Sequence, residues 1–290
     1  MFSRRQVLIL GAAFVSLNLA SAGAAENHAC VWKVTSPNNH ILYLGGSVHA
    51  LRGIDYPLPA AYNLAFEASD RLVFEVDLAG LKAFAQRVEK EAHYPRGDSL
   101  KNHVDPRTYD YLRRLFAVFR VPESKFAVYR PWFIALLLED PALHGLSSDL
   151  GVESYLERRA RANHKPMSGL ESPREHLEVF SGLSDHQGEV LVLISLVPGA
   201  QDPSAPSPLL AAWRRGDVET IARDAHKELS IFPAFEDRVL DARTRNWIPR
   251  IERDLQSGHT CFVVVGAGHM GGPNGVLALL RARGYAITQL

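Results

Sequence analysis

The sequence predicts an α+β fold in which strands from both ends of the chain build one mixed β-sheet around a helical middle. Three observations lead there. Aliphatic strand-like runs stand near the start and at the end, between them lie segments with a 3.6-residue apolar period, and no linker divides the chain.

Cys30 to Thr35 reads as a strand, Ser36-Pro37-Asn38-Asn39 as a turn and His40 to Leu44 as a second strand, together a hairpin. Pro59 to Ala68 is a short helix opened by its proline. Arg71 to Val76 is an aliphatic strand that ends in Glu75-Val76-Asp77. In the middle, Asp105-Pro106 caps a helix reaching about Phe119, whose Tyr109, Leu112, Leu115, Phe116 and Phe119 share one stripe. Helices follow over Trp132 to Glu139 and Val152 to Ala162, and Ser184-Asp185-His186-Gln187 forms a capping box that opens a third. The Pro- and Ser-rich stretch from Pro198 to Pro208 is a loop, followed by helices near Leu209–Arg214, Val218–Leu229 and Asn246–Ser257. Cys261 to Val265 is apolar throughout, as in a central strand buried on both faces. A glycine-rich loop, a helix from Pro273 to Arg283 stopped by Gly284, and a last strand from Ala286 complete the chain.

The 290 residues are 47% hydrophobic and 22% charged, enough to bury a core without disulfides. Formal charge is zero, and without Arg4 and Arg5 the balance is 30 basic against 32 acidic residues. Neither nucleic acid nor an anionic membrane surface is implied. Residues 1–24 have the order of a signal peptide: Arg4-Arg5, an uncharged run from Val7 to Ala20, then Ala20-Ser21-Ala22 and Ala22-Gly23-Ala24. The run is short of the ~20 residues that cross a membrane, so cleavage is expected rather than a stable transmembrane segment. The arginine pair suits either a twin-arginine or a general secretory signal. Residues 25–290 then form one domain in the periplasm or outside the cell. Cys30 and Cys261 are either one bridge or two free thiols.

One pattern repeats across 220 residues. Leu42-Tyr43-Leu44 runs into Gly46-Ser47-Val48-His49, and Val263-Val264-Val265 runs into Gly266-Ala267-Gly268-His269. In each, a buried strand ends, a glycine frees the backbone and a histidine emerges. Glu75 and Asp77 share one face of their strand, and a carboxylate in an aliphatic strand needs a charge partner or a metal. Two imidazoles and a carboxylate suit a divalent Zn, Mn, Co or Fe ion and hydrolytic chemistry. A metal-free site, with His49 or His269 as base and Glu75 as its partner, is the alternative. The other histidines, His176 among them, read as surface residues.

These segments resemble the TraB/GumN family, which includes the Tiki proteins. The likeness runs in order through Trp32-Lys33-Val34, Leu44 to His49, Ser69-Asp70, Phe74 to Leu78, Arg130-Pro131-Trp132, Lys165-Pro166 with Gly169-Leu170-Glu171-Ser172, Arg245-Asn246-Trp247, and Gly266 to His269 with Gly275-Val276 and Gly284-Tyr285. It implies a metal-dependent hydrolase-like fold, with peptidase activity as in Tiki members. His49, His269 and Glu75 would be catalytic residues and metal ligands, and Glu171 a further ligand. Arg245 and Asn246 would hold a carbonyl or carboxylate of a peptide or other small extracytoplasmic substrate. Glu153, in Gly151-Val152-Glu153, stands where the pattern has Asp, and Ser172 where it has Thr. A non-catalytic module that captures a peptide or glycan is the competing function, as is a metal-free esterase.

Overall fold

A computed structural model of the protein describes residues 28–140, 145–196 and 207–290. The expected signal peptide, and most of the expected loop from Pro198 to Pro208, lie outside the described residues. No helix among the described residues is long and apolar enough to cross a membrane.

Six strands form one mixed sheet: β1 (Val31–Thr35), β2 (Ile41–Ser47), β3 (Arg71–Val76), β4 (Met167–Glu171), β5 (Cys261–Gly266) and β6 (Ala286–Gln289). Their order is β4-β3-β5-β2-β1-β6. The hairpin pairs β1 with β2 antiparallel, and β6 adds antiparallel to the far edge of β1. β5 is parallel to both β2 and β3, and β4 is parallel to β3. Each residue of β5 is buried, as a strand covered on both faces requires.

The helices are α1 (Ala60–Glu67), α2 (Leu78–Ala92), α3 (Pro106–Val118), α4 (Glu123–Phe126), α5 (Pro131–Leu138), α6 (Val152–Ala162), α7 (Pro173–Ser181), α8 (Asp185–Ser195), α9 (Pro208–Arg214), α10 (Val218–Leu229), α11 (Pro233–Glu236), α12 (Ala242–Leu255) and α13 (Val276–Arg281). A π-helical turn, Asp237–Asp241, leads into α12. The α+β class and the joining of the chain ends are as the sequence predicts. Two apolar cores result. One surrounds the sheet and includes Phe74, Val152, Trp213, Trp247 and Val264. The other lies among helices and includes Leu112, Phe126, Trp132, Leu191 and Phe235.

Several boundaries differ from expectation. The C-terminal long helix begins at Ala242 rather than Asn246, and the last helix spans Val276–Arg281 rather than Pro273 to Arg283. β4, α2 and α7 were not predicted. β4 is a short edge strand with Gly169 at its centre and three of its five residues exposed or partly so, which leaves no aliphatic signal. Asp77 turns out to be the N-cap of α2, accepting from the Ala79 amide at 3.1 Å.

The register also decides the cysteines. The Cys30 carbonyl accepts from Gly46, at one end of β2, while Cys261 stands opposite Leu42, at the other. They are therefore about 13 Å apart along the strands and two strand spacings apart across them. A disulfide needs Cα atoms within about 7 Å. Both are buried free thiols.

Candidate active-site cleft at the strand ends

Parallel strands with helical crossovers leave a crevice beyond their carboxyl ends. Here β2, β5, β3 and β4 end side by side, and each delivers one candidate. Ser47 pairs directly with Gly266, so the two Gly-x-x-His loops leave the sheet as neighbours. The Gly46 carbonyl, at the start of the first loop, accepts from the Tyr62 hydroxyl and from the Trp213 indole at 2.8 Å.

Gly266 marks where the groups meet. A Cβ built on it would lie 3.0 Å from Glu75 Oε1, 3.6 Å from His269 Cδ2 and 3.7 Å from His49 Nε2. Any larger residue there would push into these side chains. The Gly266 amide donates to Glu75 Oε1 at 2.5 Å, fixing the carboxylate in the crevice.

Each histidine is held by its Nδ1. His49 Nδ1 is 2.7 Å from Glu153 Oε1, which also accepts from the Ser47 hydroxyl at 2.6 Å. Glu153 lies in the first turn of α6, where the helix dipole favours a carboxylate. The His49 loop is docked on that helix end: the Val152 amide donates to the Val48 carbonyl at 3.1 Å. A side chain at Gly151 would collide with the His49 carbonyl at 2.2 Å. His269 Nδ1 is 2.9 Å from Thr244 Oγ1, and its ring packs 4.5 Å from that of Trp247. Both Nε2 atoms are left for the crevice.

The histidines differ electrically. The Glu153 charge raises His49 to about 9, against the opposing effect of burial. Some 69% of the His49 side chain is open to solvent, which screens part of the effect, while Glu153 itself is largely buried. Burial lowers His269 to about 4 despite the nearby carboxylates. The directions favour the charged form of His49 and the neutral form of His269. Burial works to raise Glu75, but Arg243 above all, then the histidines and the Gly266 amide, hold it below the usual carboxylate range.

Arg243 was not among the predicted residues. Its Nη2 lies 2.9 Å from Glu75 Oε2 and 3.0 Å from Glu171 Oε2, and its Nε lies 2.8 Å from Glu171 Oε1. Glu171 also accepts from the Trp247 indole at 2.8 Å and is 3.2 Å from His176 Nδ1. His176 is thus half-buried at the edge of the network rather than a surface residue. Arg245 and Asn246 point away from the crevice. Both are exposed, and Arg245 pairs with Asp237 at 2.7 Å. On α12, Arg243, Thr244, Trp247, Ile248 and Ile251 form the buried face, and 245 and 246 necessarily fall opposite.

The expected divalent cation can be tested against these donors. The two Nε2 atoms are of the right kind. Glu75, however, has one oxygen on an amide and the other on a guanidinium, and Glu171 is saturated by Arg243, Trp247 and His176. Among the described residues no three His, Cys, Asp or Glu side chains are grouped to hold an ion. In this arrangement the donor set does not fit a metal, because Arg243 already supplies the positive charge that the carboxylates face.

The fold and site define a class: α+β proteins with paired Gly-x-x-His loops beside a buried glutamate at the ends of parallel strands. The chain belongs to the TraB/PrgY/gumN family, whose model matches residues 30–289. It is 22% identical over 250 residues to "Uncharacterized protein YbaP" of Escherichia coli (strain K12), covering 86% of this chain and 90% of that one. It is 24% identical over 283 residues to an "Uncharacterized protein" of Treponema pallidum (strain Nichols), covering 87% and 80%. No solved structure matches.

Proposed function

We propose that the protein is an exported hydrolase that cleaves a peptide or related acyl bond by acid–base chemistry between His49 and His269. The observation that carries this reading is the convergence of two imidazoles, each anchored at Nδ1, with Glu75 at Gly266; the shifts favour a charged His49 and a neutral His269. His269 Nε2 accepts a proton from an attacking water. The His49 imidazolium polarises the carbonyl oxygen and then protonates the leaving group. Glu153 keeps His49 charged and oriented, as a buried carboxylate does for a catalytic imidazole. Glu75 and Arg243 fix the charge around the water site. The signal-peptide order of residues 1–24 supports export, and with it a substrate outside the cytoplasm.

A divalent cation held by the two Nε2 atoms and Glu75 is the second reading. It is favoured by the anchoring of both Nδ1 atoms, the usual orientation of metal-binding histidines. It requires Glu75 to part from Arg243.

The test is metal content by elemental analysis, together with peptide turnover with and without chelator, for the mature protein, His49→Ala and His269→Ala. Chelator-resistant turnover lost in both variants supports the acid–base reading. Near-stoichiometric metal that vanishes in both variants, with turnover lost to chelator, replaces it with the metal reading. Peptide or glycan bound but returned intact would identify a binding module.

A further inference from the structure

We propose that Thr244 is the positioning residue that fixes His269 as its Nδ1–H tautomer and so aims an Nε2 lone pair into the crevice. The argument is a count of hydrogens. Thr244 Oγ1 has two close partners, the Leu240 carbonyl at 2.8 Å and His269 Nδ1 at 2.9 Å. A hydroxyl carries one hydrogen. A carbonyl oxygen can only accept, so that hydrogen is committed to Leu240. The contact with His269 then requires Nδ1 to be the donor. The threonine is itself rigid: it is buried on α12, and its back-bond to the preceding turn fixes its rotamer.

The tautomer is not what the ring would choose unaided. Free histidine favours the proton on Nε2, and Thr244 opposes that preference. Leu240, its acceptor, belongs to the π-helical turn that precedes α12, so the irregular turn supplies the carbonyl that commits the hydroxyl. Such turns recur at functional sites. His49 needs no equivalent device, because Glu153 is acceptor-only and holds Nδ1–H by charge. The catalytic use of the lone pair rests on the acid–base reading above; the tautomer assignment does not.

The experiment is long-range proton–nitrogen correlation NMR on the mature protein labelled with ¹⁵N-histidine, in chelator at neutral pH. His269 is assigned by the signals lost in His269→Gln. The expected result is a neutral ring with the proton on Nδ1 in the native protein. Thr244→Val should move the proton to Nε2, and Thr244→Ser should restore the native pattern. A native ring protonated on Nε2, or a Thr244→Val ring still protonated on Nδ1, overturns the proposal. If Thr244→Val does not fold, the native spectrum and Thr244→Ala decide by the same criteria. Loss of hydrolysis with the Nδ1–H pattern intact would count against the acid–base reading and leave the positioning role standing.

Discussion

Arg243 Nη2 stands 2.9 Å from Glu75 Oε2 with both side chains about nine-tenths buried, and the same guanidinium holds Glu171. One cation thus bridges two carboxylates carried by different strands, and it ties α12 to the ends of β3 and β4.

Removing that cation leaves two buried negative charges facing each other. Arg243→Met should cost about 3–5 kcal/mol of stability, read from urea melts. Adding Glu75→Gln and Glu171→Gln to Arg243→Met should recover part of the loss, since the neutral amides no longer repel. A single variant as stable as the native protein would show that the triad carries no net charge compensation.

Arg245 and Asn246 should behave oppositely. They lie on the wet face of α12, and exposed ion pairs contribute at most about 1 kcal/mol. Arg245→Ala and Asn246→Ala should leave melts and turnover close to native. A large loss of turnover in either would place the substrate on that face instead.

Stability should fall on both sides of neutrality for different reasons. His49 is raised to about 9, so its contribution is complete below the ordinary histidine value of 6.5 and is lost as pH climbs toward 9. His269 is lowered to about 4, so the folded state resists protonation and loses stability as pH falls from 6.5 toward 4. Glu75, held low, adds to the loss in acid. Melting temperature against pH, in chelator, should show His49→Ala flattening the alkaline limb and His269→Ala flattening the acid limb. Unchanged limbs would remove the electrostatic basis for the acid and base assignments.

Glu153→Gln keeps a hydrogen-bond acceptor beside His49 but removes the charge that raises it. The NMR titration midpoint of His49 should drop from about 9 to near or below 6.5. A midpoint that stays high would assign the effect to another group.

The two thiols should be silent until the protein unfolds. Cys30 is buried, and burial pushes its thiol up to about 12. A thiol reagent should find none in the native protein and two in denaturant without reductant. Fewer than two in denaturant would point to a disulfide that the strand register forbids within one chain.

Much of the site was legible. Both histidines and Glu75 follow from strands that run into glycines or carry a carboxylate among aliphatic residues, and these signals are local. Arg243 and Thr244 were legible in principle. The stripe Trp247, Ile248, Ile251 and Leu255, extended one turn back, lands on 243 and 244. Starting the helix at Asn246 hid this, because charged residues interrupt the stripe and a π-turn precedes the helix. Glu153 was visible only as a departure from the pattern, since nothing in Gly151-Val152-Glu153 says that a helix end lies under His49.

The sequence by itself determined the α+β class, the strands that carry the two Gly-x-x-His loops, and the family. These rest on periodicity and on short motifs, each contained within about ten residues. The tertiary structure alone decided that Ser47 faces Gly266 across a parallel ladder, that the cysteines are far apart, and that Arg243 occupies the space between the carboxylates. Those are spatial relationships between segments up to about 230 residues apart. The same side chain becomes a metal ligand, an ion-pair partner or a proton donor according to what folding sets beside it, and burial then fixes which charge it keeps.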